Sequence, residues 1–242
     1  MRTLAVAARV LAQLRRDPRT LALIVGVPML LETLLKEIFV GRVQVFEHVG
    51  APLLGLFPFV TMFLVTSITM LRERTTGTLE RLMASPLRKF DLLAGYGLAF
   101  AVVAAIQAAA VSALAFGALG LDVAGPKPVV TALAIGNAVL GTALGLFVSA
   151  FATTEFQAVQ FMPAIVLPQL LLCGLFVDRA DMAGWLHAVS SVLPLTYAYD
   201  ALARVASGGA YGGHFAADVA VTLGSVLVAL VLGAATLRRR TP

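Results

Sequence analysis

Glu32 and Lys36 are the two side chains whose spacing most directly suggests chemistry. They stand four residues apart inside the first long apolar run, with Glu37 directly after Lys36. A carboxylate one helical turn ahead of an ammonium is the favourable order for an ion pair. A charge at the bilayer centre costs about 2.5–3.5 kcal/mol on the insertion scale, so a lone Glu32 facing lipid tails is disfavoured. The spacing therefore predicts a Glu32–Lys36 pair turned away from lipid. Such a pair can snorkel to the headgroups, face a hydrated cavity, or exchange an ion during transport. The residues leave these open.

Other chemistry is scarce. No GxxxxGK[ST] loop occurs, because Lys36, Lys89 and Lys127 are followed by Glu, Phe and Pro. Nucleotide hydrolysis by that route is excluded. His48, His187 and His214 are scattered without metal-ligand spacing, and neither HExxH nor a nucleophile elbow is present. Cys173 is the only cysteine, so no intrachain disulfide can form. It lies in an apolar run and reads as a small buried hydrophobe.

The elements that must position these residues are set by composition. Of 242 residues, 60% are hydrophobic and 13% charged, and the mean hydropathy is +0.93. That is too little polar material to coat a soluble domain. The apolar residues come in blocks of bilayer-spanning length. The formal charge is +5, and the basic residues cluster at block ends. They read as topology signals rather than as a nucleic-acid surface. Abundant alanine and arginine favour a GC-rich bacterial source, hence a bacterial inner membrane.

The expectation is an all-α integral membrane protein made of one domain, 1–242. Six spans are expected at about 20–40, 52–71, 92–119, 129–152, 158–177 and 215–237. Residues 2–17 read as an amphipathic helix, with Leu4, Ala8, Leu11 and Leu14 at helical spacing and arginines to the sides. The whole 1–19 segment would lie in the headgroup layer. Pro28, Pro58, Pro163 and Pro168 fall inside spans, where each frees a carbonyl that neighbours must satisfy. Arg2, Arg9, Arg15, Arg16, Arg19, Arg72, Arg74, Arg81, Arg88, Lys89 and Arg238–Arg240 fall on one side. Only Arg42, Lys127, Arg179 and Arg204 fall on the other. Both termini and the 72–91 loop are thus expected in the cytoplasm. Residues 178–214 carry Trp185, Leu186, Val189, Val192 and Leu193 at helical spacing, then Tyr197 and Tyr199. They read as one or two short helices dipping into the outer leaflet. Within span 4, Gly141 and Gly145 suit close packing inside the chain, with Gly136 nearby.

The loop from Arg72 to Tyr96 has a definite grammar. Gly77 breaks the chain, Thr78 to Ala84 can form a short helix, and Ser85-Pro86 ends it. Asp91 suits the first turn of span 3. A short helix projecting from a membrane domain is a handle for a cytosolic partner; an ordinary solvated loop fits equally.

Glu73, Gly77-Thr78-Leu79-Glu80, Leu82, Ser85-Pro86, Leu93 and Gly95 resemble the cytoplasmic signature of ATP-binding-cassette type-2 permeases, the drug- and polysaccharide-exporter class. Gly174, Phe176, Trp185-Leu186, Pro194-Leu195-Thr196-Tyr197, Asp200-Ala201-Leu202 and Arg204 resemble that family's segment after span 5. Tyr96 stands where the family often has lysine, and Leu193 where asparagine is usual. The resemblance implies a permease subunit of an exporter for drugs or lipid-like, amphipathic molecules. Two six-span chains, identical or homologous, would face each other and work with two ATPase subunits. Those partners would bind ATP and Mg; this chain would hold no cofactor. Glu73, Thr78, Leu79, Glu80, Arg81, Leu82, Ser85 and Pro86 would contact the ATPase, and 1–19 would be the connecting helix. Spans 2 and 5 would line the passage, through Phe59, Met62, Thr66 and Thr69 on one and Gln157, Gln160 and Phe161 on the other, with Glu32 and Lys36 near the exit. The alternative is an ATP-independent secondary transporter coupled through Glu32 and Lys36.

Overall fold

The computed structural model describes residues 2–78 and 89–236, and no strand occurs among them. The long helices are α1 (Arg2–Arg15), α2 (Pro18–Ile38), α3 (Val43–Thr75), α4 (Lys89–Gly117) and α5 (Lys127–Val148). A 3-10 turn at Ser149–Phe151 extends α5. Then come α6 (Glu155–Phe161), a π turn at Met162–Val166 and α7 (Leu167–Leu172). A 3-10 turn at Arg179–Asp181 precedes α8 (Gly184–Ser190), α9 (Pro194–Ala206) and α10 (Gly213–Thr236). Five of these are long and apolar enough to cross a membrane: α3, α4, α5 with its 3-10 turn, the α6–α7 composite, and α10. At 21 residues, α2 is not among the five and carries Arg19, Glu32, Lys36 and Glu37.

Local chemistry sets the boundaries. Asp17 caps α2 by accepting the Thr20 amide at 3.1 Å and the Thr20 hydroxyl at 2.6 Å, and Pro18 follows at the first helical position. Those two bonds hold the Asp17 carboxyl below its ordinary range. Thr154 caps α6 by accepting the Gln157 amide at 3.2 Å. Gly77, at φ +71, ends α3. That helix starts at Val43, well before the expected position near 52. Residues 43–51 continue it because Phe46 and Gly50 pack under α2. The composite α6–α7 breaks at the π turn that contains Pro163, where the missing N–H interrupts the ladder.

The core centres on α3 against α5. A Cβ at Gly141 would collide with the Phe59 carbonyl, and one at Gly145 with the Phe63 carbonyl and the Thr66 hydroxyl. The two helices thus approach backbone to backbone, as the within-chain reading of the glycine spacing requires. α1 packs on α4, where a Cβ at Gly95 would stand 2.6 Å from Val6 Cβ. Its buried residues are Val6, Ala7, Val10 and Leu14. Of the residues expected at helical spacing, Leu14 is buried, Leu11 is half-buried, and Leu4 and Ala8 are exposed.

The ends of the elements sort into two faces. One face gathers α1, the end of α3, the start of α4, the end of α5 and the end of α10, where a Cβ at Gly233 would stand 2.8 Å from the Leu93 side chain. The far face gathers the end of α2, the start of α3, α8 and α9.

Candidate functional site

The last turns of α3 are tied to three neighbours at the face that holds both α1 and the end of α10. Arg9 Nη2 reaches both Glu73 oxygens, at 3.2 and 3.1 Å. Arg72 grips Glu155 in a fork, Nε to Oε1 at 2.7 Å and Nη2 to Oε2 at 3.0 Å. Arg74 donates to the Ser149 carbonyl. One helix end is thus bonded to α1, to the 3-10 turn after α5 and to the start of α6. Forked guanidinium pairs fix orientation as well as charge. The Arg9–Glu73 pair is the more sheltered, with side-chain exposures of 29% and 12% against 63% and 54% for Arg72–Glu155. Exposed pairs contribute little stability, so Arg9–Glu73 dominates. Beside it lies a cavity of about 240 Å³, lined by Val10, Asp17, Thr69, Glu73, Thr78 and Tyr96. Tyr96 is fully buried. Among the described residues no reacting group converges here. The bonds tie the end of α3 to α1, to the turn after α5 and to the start of α6.

The residues expected at the partner contact divide. Glu73 and Thr78 line this cavity. Leu79, Glu80, Arg81, Leu82, Ser85 and Pro86 lie outside the described residues.

The residues expected along a passage also divide. Phe59, Met62 and Thr66 are fully buried. The Thr66 hydroxyl donates to the Met62 carbonyl at 2.7 Å and lies 3.3 Å from the Thr142 carbonyl of α5. This stripe packs within the chain. Thr69 opens on the 240 Å³ cavity instead. On α6, Gln157 accepts from the Thr153 amide at 2.9 Å and hydroxyl at 2.8 Å. Gln160 is exposed, and Phe161 packs half-buried on Leu71 and Ala158.

Glu32 and Lys36 do not pair, which corrects the expected ion pair. Glu32 is fully buried, and neither of its oxygens has a hydrogen-bond partner among the described residues. Its carboxyl lies against Gly50, in the notch a Cβ there would fill, beside Phe46 and Leu121. Lys36 Nζ sits over the Phe46 ring, 4.9 Å from its centre, a cation–π contact. The aromatic ring takes the ammonium that the helical spacing assigned to the carboxylate.

Two relationships were missed in the sequence. One is Arg9–Glu73, whose only signal was a charge between Val6 and Val10 on an apolar helix. The other is Gln107, fully buried in α4, which donates to the Ile24 carbonyl at 2.7 Å. At the far face, a cavity of about 630 Å³ is lined by Glu47, Asp122, Asp178, Asp200 and Arg204 among others. Two of its four carboxylates are paired: Arg179 holds Asp200 at 2.9 Å and Lys127 holds Asp122 at 3.6 Å.

Residues 1–205 match the sequence pattern described as ABC-2 type transporter. The chain belongs to the ABC-2 type transporter family. This ABC-2 chain is 28% identical over 150 residues to the probable multidrug ABC transporter permease YbhR of Escherichia coli K12, covering 61% of this chain and 40% of that protein. It is 24% identical over 147 residues to ABC transporter G family member 20 of Dictyostelium discoideum, covering 61% of this chain and 20% of that protein. The chain therefore spans less than half the length of either relative. With its apolar helices, the ABC-2 chain is a multi-pass membrane protein.

Proposed function

We propose that this chain is the membrane-spanning permease subunit of an ATP-driven exporter that moves drugs or lipid-like, amphipathic molecules out of the cytoplasm or inner leaflet. Separate ATPase subunits, two per complex, bind ATP and Mg and dock on the segment that follows Thr78. The observation that carries the reading is the binding of the end of α3 to α1 and α6 through Arg9–Glu73 and Arg72–Glu155. A push on the 78–88 segment reaches the membrane helices through those ties. The drug-like cargo rests on YbhR, described as a probable multidrug ABC transporter permease.

Parity supports six spans. The start of α1 and the end of α10 lie at one face, and an even number of crossings is needed to return there. The five long apolar helices then need α2 as the sixth. Arginine placement puts that face in the cytoplasm, in a bacterial inner membrane, with α1 in the headgroup layer and α8–α9 in the outer leaflet. A second permease chain, identical or homologous, closes over the outward face of α6–α7, where Gln160, Ala164, Leu167 and Leu171 are exposed. The passage then runs along that face, since Phe59, Met62 and Thr66 are occupied within the chain.

The test is a cysteine at Thr78 or along 79–85 in a chain co-expressed with its ATPase. Crosslinking to the ATPase, with ATP-dependent efflux of an amphipathic dye lost on reversing Glu80 or Arg81, supports the reading. Efflux that follows a proton gradient without ATP refutes it.

A further inference from the structure

Three guanidiniums stand together where α1 turns into α2. Arg15, Arg16 and Arg19 are exposed, and none of their side chains enters a hydrogen bond or ion pair among the described residues. Four residues separate the first from the last, so their Cα atoms lie within about 14 Å. The corner is closed by its own backbone, the Arg16 amide on the Gln13 carbonyl and the Asp17 amide on the Leu14 carbonyl, both at 3.0 Å. The neighbouring guanidiniums are taken, Arg9 by Glu73 and Arg72 by Glu155. Asp17 lies among the three, but both of its oxygens are bonded to Thr20. Counting Arg15, Arg16 and Arg19 against Asp17, the corner still carries a net charge of +2.

Apolar ridges run from this corner along both helices. On α1 the exposed Leu4, Ala8 and Ala12 lead at helical spacing to Arg15. On α2, Arg19 is followed on one face by Leu23, Val27 and Leu30, all exposed. Gly26 lies beside them, and a Cβ there would meet nothing within 4 Å, so that face is dented. From Arg19 to Leu30 is about 16 Å at 1.5 Å per residue, close to half of a hydrocarbon core of about 30 Å. Uncompensated cations at the head of an apolar ridge one leaflet long suit a molecule with a negative head and an acyl chain. A neutral lipid would cover the ridge and leave the cations without counter-charge. A soluble acidic protein would meet the cations and leave the ridge uncovered.

We propose that the α1–α2 corner binds an anionic phospholipid, its phosphate on Arg15, Arg16 and Arg19 and an acyl chain along Leu23, Val27 and Leu30. The proposal rests on the placement of α1 in the headgroup layer and uses neither cargo nor ATP. Efflux without ATP, which refutes the exporter, would leave it standing.

The test uses the full chain, purified in detergent and stripped of lipid. It is titrated with dioleoylphosphatidylglycerol or with dioleoylphosphatidylcholine, and bound molecules are counted by native mass spectrometry. The anionic lipid should bind saturably and at least tenfold more tightly than the zwitterionic one. Arg15→Gln, Arg16→Gln and Arg19→Gln should each weaken it about fivefold, with phosphatidylcholine unaffected. Asp17→Asn keeps the helix cap and removes the one negative charge, so it should tighten binding by a similar factor, a gain that misfolding cannot produce. Arg42→Gln, at the start of α3 and on the far face, should change nothing. Equal binding of the two lipids overturns the proposal. So does unchanged phosphatidylglycerol affinity in the triple Gln variant. Ready displacement of the lipid by millimolar inorganic phosphate would mark a bare anion site and overturn it as well.

Discussion

Gln107 of α4 supplies the hydrogen bond that Pro28 denies to Ile24. The Ile24 carbonyl would normally accept from the N–H of residue 28, and proline has none. Gln107 Nε2 reaches it at 2.7 Å from the neighbouring helix. A helix can hold a proline in an apolar interior only on such terms.

Removing that donor should expose the dependence. Gln107→Leu is expected to cost about 1–3 kcal/mol, the penalty of an orphaned buried carbonyl. In a Pro28→Ala background the helix recovers its own N–H, so Gln107→Leu should cost much less there. Denaturant unfolding in detergent of the two singles and the double reads the coupling. Strict additivity would show that the bond does not carry the carbonyl.

Arg9 and Glu73 should behave as a unit. Arg9→Glu places two carboxylates together and is expected to loosen α1 from α4 and to impair transport. Adding Glu73→Arg should recover much of the loss, with a coupling energy of about 0.5–3 kcal/mol. Amide hydrogen exchange of α1 would report the docking directly. Equal protection in all variants would remove the pair from the account of α1.

The glycines of α5 should differ sharply along one helix. Gly145→Ala forces a methyl group into the Phe63 carbonyl and should cost about 1–3 kcal/mol. Gly136→Ala enters open space and should stay within about 0.5 kcal/mol of the parent. Thermal melts in one detergent suffice, and similar losses at both sites would contradict the packing described.

Glu32 and Lys36 should act separately. Lys36→Met removes the charge over Phe46 and should lose about 0.5–2 kcal/mol. Glu32→Gln removes a buried carboxyl that has no hydrogen-bond partner among the described residues and should leave the melting temperature unchanged or raised. A marked drop for Glu32→Gln would restore an ionic partner to Glu32.

The helices were legible because apolar blocks of bilayer length admit few other solutions. Side-chain partners were not. Periodicity finds an apolar stripe on α1, yet it does not say which of the helix's apolar residues pack inside the chain. Val6 and Val10 do, while Leu4 is exposed. The Glu32–Lys36 spacing was real, but Phe46 arrives from a helix that starts earlier than the loop composition suggested, and its ring captures the ammonium. Thr66 looked like a hydroxyl for a passing molecule and instead bonds carbonyls. Each miss is a choice among partners that a single sequence does not rank.

The start of α1 and the end of α10 lie at one face of the bundle, the face that also carries Thr78. A soluble module fused ahead of α1 or behind α10 would start beside Thr78. Gene fusion at either end would therefore preserve sidedness, and a short tether would replace diffusion with a fixed local concentration.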